Sequence, residues 1–295
     1  MYKYLFILTL ILSSACKHQV PRVDDPCKIQ VSVLQTGKTE IEYYFGGRGD
    51  TTLLFLHGWC LNKDYWNSQL MHYCANYRVI APDLPGFGES INLARKDWSI
   101  ATYGEDISGF IRRLRLKNVI LIGHAMSGDI ALQVAVNEPK NVIGLIGVES
   151  FKNVGLTNNP EENRHLQSLM QLLKDDFRNI APAYAAGNLF SSSTPDNFKE
   201  RVKSDFVTAN PEVALLAFKS VNDFGNEKIK LLQELPYKLY LINNEITPTF
   251  TQSLTKLCPY SFELYTTGQT GHFPMCEDEL LFNQVLDKVL LKIRE

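Results

Sequence analysis

Apolar runs rich in β-branched residues recur along the chain, separated by stretches of helical pattern. Eight such runs lie near residues 28–34, 40–45, 52–56, 77–81, 118–122, 142–148, 238–243 and 261–266, and each has the length and composition of a strand. Those at 53–56, 119–122 and 142–146 lack polar alternation, which predicts strands covered by helices on both faces. Apolar residues return at helical spacing over about 103–115, 126–137 and 278–294. Strand and helix in alternation predict βαβ units and a mostly parallel eight-stranded sheet flanked by helices, an α/β fold.

From 150 to 226 the pattern changes. This stretch is polar and helix-prone, breaks at Asn158-Asn159-Pro160, Ser191-Ser192-Ser193 and Asn210-Pro211, and contains no candidate for a central strand. It reads as a helical cap inserted between strands 6 and 7, leaving a core built from 27–149 and 227–295.

The N-terminus has a third pattern. Lys3 precedes an apolar run from Tyr4 to Leu12, and Ser13, Ser14 and Ala15 then lead into Cys16. That is the plan of a signal peptide over residues 1–15; the run is well short of the roughly 20 residues a membrane span needs. A cysteine directly after small residues resembles the lipobox of bacterial lipoproteins. The resemblance implies a lipid anchor at Cys16, a tether over 16–26 and residence in the bacterial cell envelope; simple secretion is the alternative.

Composition narrows the function classes. Of 295 residues 45% are hydrophobic and the formal net charge is −2, with no basic stripe carrying interleaved aromatics, so nucleic acid is not an expected partner. Beyond Cys16 the cysteines are Cys27, Cys60, Cys74, Cys258 and Cys276. An odd number forbids complete intramolecular pairing and no spacing suits a metal. They are expected as small buried hydrophobes rather than a disulfide framework, and neither metal nor organic cofactor is expected.

Three motifs carry chemistry. Gly123-His124-Ala125-Met126-Ser127-Gly128 joins the apolar strand ending at Ile122 to a helical pattern. Leu56-His57-Gly58-Trp59 follows the third strand, and Asp83-Leu84-Pro85-Gly86-Phe87-Gly88-Glu89-Ser90 follows the fourth. In this order and spacing the chain resembles the cap-bearing, esterase-like members of the α/β-hydrolase superfamily, whose G-x-S-x-G turn exposes a nucleophilic serine above the sheet. Here Ala125 holds the nucleophile position. The resemblance further implies His272, in Gly271-His272-Phe273-Pro274, as general base, and the Trp59 and Met126 backbone N–H groups as the oxyanion hole. The acid that orients His272 has two candidates. The usual site after strand 7 is occupied by Thr247, which favours Glu149, at the end of strand 6, with Glu245 as the alternative. His57 and His124 are expected to be structural or to line the pocket, and His72 and His165 to lie at the surface.

A methyl group cannot attack a carbonyl, so the covalent hydrolysis of small esters implied by the resemblance is expected to be lost. Ser127, two residues past the turn, is expected to point away from the pocket mouth, and Cys60 is a remote candidate for a substitute nucleophile. Three accounts remain: an esterase whose serine was replaced to trap a ligand, a natural pseudoenzyme that binds or senses a small molecule, and an enzyme using His272 as a general base without a covalent step. The leader-like N-terminus favours a natural substitution over an introduced one.

Overall fold

A computed structural model describes residues 27–36, 39–91, 95–156 and 159–294. The leader and tether expected over 1–26, with Cys16, lie outside the described residues.

The strands are β1 (Gln30–Thr36), β2 (Thr39–Gly47), β3 (Thr52–Leu56), β4 (Arg78–Pro82), β5 (Val119–His124), β6 (Val142–Val148), β7 (Leu239–Asn243) and β8 (Phe262–Thr266). They form one sheet in the order β1-β2-β4-β3-β5-β6-β7-β8. β1 and β2 pair antiparallel, as do β2 and β4; every other pair is parallel. β3, β5 and β7 are buried at every residue. Helices cover both faces of these strands, so neither face needs polar residues.

The core helices are α1 (Asn67–Tyr73), α2 (Ile100–Arg113) and α3 (Met126–Asn137). Ser99 caps α2 by accepting from the Thr102 N–H, which starts that helix three residues before the apolar periodicity becomes visible. Five helices separate β6 from β7: α4 (Pro160–Asp175), α5 (Phe177–Asn188), α6 (Asp196–Thr208), α7 (Pro211–Asp223) and α8 (Gly225–Glu234). Two of the three breaks read from sequence are caps, while at Ser191-Ser192-Ser193 the next helix begins after Pro195 without a side-chain cap. Asn159 closes a capping box at α4, and Asn210 accepts from two N–H groups at α7, each followed by proline at the first helical position. The last of the five, α8, packs on α3. The chain closes with α9 (Thr251–Leu257), α10 (Pro274–Glu277) and α11 (Glu279–Arg294).

One expectation is overturned. Cys27 and Cys74 form a disulfide with Cα atoms 5.0 Å apart, rather than packing as separate thiols. Their 47-residue separation hid the pairing, since only the antiparallel return of β1 along β2 brings the chain start to the end of α1. Cys60, Cys258 and Cys276 remain free thiols.

Candidate functional site

The site gathers beyond the C-terminal ends of β3, β5, β6 and β7, where the loops of a parallel sheet converge. The turn after β5 is sharp. Ala125 has φ 50° and ψ −114°, a region that costs a residue with a Cβ roughly 1–3 kcal/mol. The Ala125 N–H donates to Val148 O at 2.8 Å, and its carbonyl accepts from the Gly128 N–H at 2.9 Å. Gly123 is required here, because a Cβ would lie 2.2 Å from Ser127 O. The Ser127 hydroxyl is already committed, donating to His57 O, and is buried beneath the turn.

Ala125 and His272 line one cavity of about 140 Å³ with Trp59, Leu61, Met126 and Phe273. Its remaining wall comes from His124 and the cap residues Tyr184, Leu189, Phe206, Phe218 and Val221. No serine, threonine, cysteine or carboxylate is among these lining residues. Trp59 fixes the roof: its indole N–H donates to Ala214 O of α7 at 2.7 Å, and its ring meets Phe177, Tyr184, Phe206 and Phe218. The Trp59 and Met126 N–H groups donate to no acceptor among the described residues. For Met126 this follows from its place at the first position of α3, where an N–H has no partner within the helix.

On the other flank His272 Nδ1 stands 3.4 Å from Glu149 Oε2, somewhat longer than an ordinary hydrogen bond. Glu149, itself at φ 52°, also accepts from Lys152 Nζ at 2.8 Å, from Asn244 Nδ2 at 3.0 Å and from the Asn244 N–H. Burial pushes the Glu149 carboxyl up, but the His272 contact and charge and the Lys152 ammonium outweigh it and hold the group below its ordinary value. Glu245 lies elsewhere, exposed and accepting from the Thr266 hydroxyl at 2.9 Å. Thr247 donates its N–H to Asn244 Oδ1 at 3.0 Å.

The His272 loop is pinned from three directions. Glu277 accepts from the Gly271 N–H at 2.7 Å and the Phe273 N–H at 3.0 Å. Asn244 Nδ2 donates to Gly271 O at 2.9 Å, and the His272 N–H donates to Leu189 O of the cap at 2.8 Å. His124 completes the support, its Nε2 lying 2.7 Å from His272 O. That bond requires the proton on Nε2, so Nδ1 carries a lone pair, and Nδ1 has no protein partner. Burial, then the neighbouring His272, drives the His124 pKa well down, and burial likewise lowers that of His57. Both rings are therefore neutral near pH 7.

Cys60 is buried, and desolvation followed by the charge of Asp205 raises its thiol pKa well above the ordinary value. A thiol in that state is a poor nucleophile. His72 and His165 are exposed. Among the described residues no group of three or more His, Cys, Asp or Glu side chains is placed to hold a metal ion. Sequence reading missed Lys152, Asn244 and Glu277. Lys152 and Glu277 lie three and five residues from motif positions, but only the fold shows which way they turn; Asn244 had a signal in its place beside the expected acid site.

A turn held at positive φ between a buried strand and a helix, with a histidine and a carboxylate facing it from later loops, agrees with the match of residues 51–214, more than half of the chain, to the model of the alpha/beta hydrolase fold. The chain belongs to the alpha/beta hydrolase fold family. Over 111 residues it is 32% identical to a pimeloyl-[acyl-carrier protein] methyl ester esterase of Yersinia pseudotuberculosis, covering 38% of this chain and 41% of that one. The protein of the same name from Pectobacterium carotovorum is 28% identical over 145 residues, covering 48% and 53%. The matches thus span about two fifths to half the length of these curated relatives. Similar solved structures include an esterase from Exiguobacterium antarcticum, with a TM-score of 0.77, 20% identity and coverage of 90% of this chain and 100% of that one. A thermophilic esterase from Thermogutta terrifontis has a TM-score of 0.75 at 22% identity, with coverage of 90% and 100%. At such identities these two structures speak for the fold alone.

Proposed function

We propose that this hydrolase-family protein binds a small ester-like ligand without forming a covalent intermediate, its inherited acyl chemistry disabled at Ala125. One observation carries the reading: the cavity presents His272 and two unpartnered amides to a ligand, yet no side chain lining it can serve as a serine-type nucleophile. In the working form of such a site, the serine oxygen gives its proton to the histidine and attacks the carbonyl, and the amides stabilise the oxyanion. With a methyl group at that point only the last function remains. The amides can receive a carbonyl oxygen, and His272 can accept a proton from a ligand or from water.

The ligand class follows from the walls. A cavity of about 140 Å³ lined by aromatic and aliphatic side chains suits a short acyl group or a single ring, comparable to the benzene-sized cavities of engineered proteins. The names of the partly matched relatives, methyl ester esterases, point to the same class. A second reading, general-base catalysis by His272 without a covalent step, is favoured by the network around Glu149, which holds an acid ready to orient the imidazole.

The test is a panel of short-chain p-nitrophenyl esters on this chain and on Ala125→Ser. The binding reading expects no turnover from the Ala125 form and saturable binding of the esters, followed by quenching of Trp59 fluorescence. Turnover by the Ala125 form that His272→Ala removes would transfer the case to the second reading. Absence of binding by both forms would overturn both.

We also propose an exported protein anchored through Cys16. The Cys27–Cys74 disulfide supports an oxidising compartment, and no helix among the described residues is long and apolar enough to cross a membrane. Mass spectrometry of the protein from its host should find a diacylated N-terminal Cys16; a retained Met1 would overturn the anchor.

A further inference from the structure

Charge is distributed unequally between the two ends of the sheet. The segments leading into the parallel strands and closing the last helix (46–52, 74–78, 112–119, 137–142, 234–239, 256–263 and 291–294), with 27–29, hold twelve Lys and Arg against four Asp and Glu. The chain as a whole is slightly acidic, with 30 basic and 32 acidic residues, and the stretch 150–226 holds eight basic and nine acidic. The excess is therefore local to one pole. Contacts join these segments across it: Asn118 Nδ2 donates to Asp50 O at 3.2 Å, Arg112 pairs with Glu138, and the Arg294 guanidinium lies 4.5 Å from the Tyr77 ring centroid. Lys28, Arg113, Arg115 and Lys117 are exposed, as are Tyr260 and Leu291 at 59% and 62%.

The chain start is fixed at this same pole. Cys27 is bonded to Cys74, and Gly46 and Gly47 pair with Val79 and Arg78 at the beginning of β4. The tether from Cys16 to Pro26 consequently joins the domain at its basic end. The cavity over Ala125 lies beyond the opposite ends of the strands. We infer that the strand-entry pole is a docking surface for an anionic lipid bilayer, which holds the domain with its cavity facing away from the membrane. Polybasic surface and the lipid on Cys16 act together, since one weak membrane signal gives only marginal binding and two give a stable anchor. The ligand would then reach the cavity from the aqueous side rather than out of the bilayer. This inference rests on the Cys16 anchor proposed above and not on what the cavity binds.

The experiment is co-sedimentation of the mature protein, purified from its host, with vesicles of phosphatidylcholine alone and with about a third phosphatidylglycerol, an order-of-magnitude anionic content for such membranes. At low salt, binding to the anionic vesicles should be at least about tenfold tighter, and high salt should remove the difference. Arg113→Glu/Arg115→Glu/Lys117→Glu should bring anionic binding down to the phosphatidylcholine level. Reversing Arg164, Lys174 and Lys219 of the cap to Glu should leave it unchanged. Circular dichroism checks the fold of each variant; Lys28→Glu/Lys117→Glu, in two separate exposed segments, takes the place of the triple variant if that one unfolds. Equal binding to both vesicles, an equal loss in the cap variant, or capture by inorganic polyphosphate with none by anionic vesicles would each overturn the proposal.

Discussion

The two flanks of the cavity differ in what they present. Around His272 the polar apparatus is complete: Glu149 faces Nδ1, Lys152 and Asn244 saturate the carboxylate, and Glu277 holds the loop. Across the cavity the turn is present, its positive φ and close packing intact, but the one atom it exists to present is a methyl group. A buried carboxylate, ammonium and amide depend on one another, so losing any member leaves the others unpaired at a cost of several kcal/mol. Serine to alanine at an exposed cavity wall removes no partner on which the fold depends. The nucleophile position of such a site thus tolerates a change of side chain more easily than its supporting network, which stability itself protects.

That contrast is tested most severely by Ala125→Ser. If both flanks are still aligned, short-ester turnover should rise by up to about 10⁶-fold, the scale on which a triad depends on its serine, and His272→Ala in the same background should return it to the starting level. A folded, ligand-binding revertant with no turnover would mean that the His272 flank has drifted out of register. Within the Ala125→Ser background, Glu149→Gln should lower kcat by about 10⁴-fold, as loss of the orienting acid does elsewhere. Glu245→Gln should leave kcat within about twofold, since it lies outside the cavity; equal effects from the two would break the assignment.

Stability measurements sharpen the comparison further. Lys152→Met should destabilise the fold by about 3 kcal/mol in urea titration, because it strips the cation from a carboxylate whose side chain is 1% exposed. Acid should act on the same network. The Glu149 pKa is depressed in the fold, so its contribution is present above the ordinary value of 4.5 and is lost as pH falls through the lower, folded value. The neutral buried His57 and His124 add an earlier loss that begins below their ordinary 6.5. Urea midpoints should therefore decline in two stages, and Lys152→Met should shrink the second stage, because it lets the folded Glu149 pKa rise towards its ordinary value. A single decline unaffected by that variant would remove Lys152 from the network. The smallest effect belongs to the other flank: Ala125→Gly should stabilise by about 1 kcal/mol, because only glycine takes φ 50° without a Cβ penalty. A destabilisation would mean that the turn is less strained than its φ and ψ indicate.

The periodic patterns by themselves determine most of the architecture. Eight strands, the central helices and a helical insertion after strand 6 were legible because burial on one or both faces imposes a period that a sequence must carry. The turn at Ala125 was legible for a related reason: close packing admits only small residues at Gly123 and Ser127, and the fold follows at once. Choice among partners was not legible. Glu149 is the favoured acid along the chain and Glu245 its alternative, and only the direction in which β6 and β7 deliver their ends puts one against His272 and turns the other to solvent. Lys152 and Glu277 look like ordinary surface charges until the loops fold back over them. Cys27 and Cys74 are two cysteines among several until β1 returns alongside β2. Local pattern depends on which face of an element is buried, and neighbouring residues share that constraint. Pairing across the fold depends on where several chain ends meet, a property that no single segment contains.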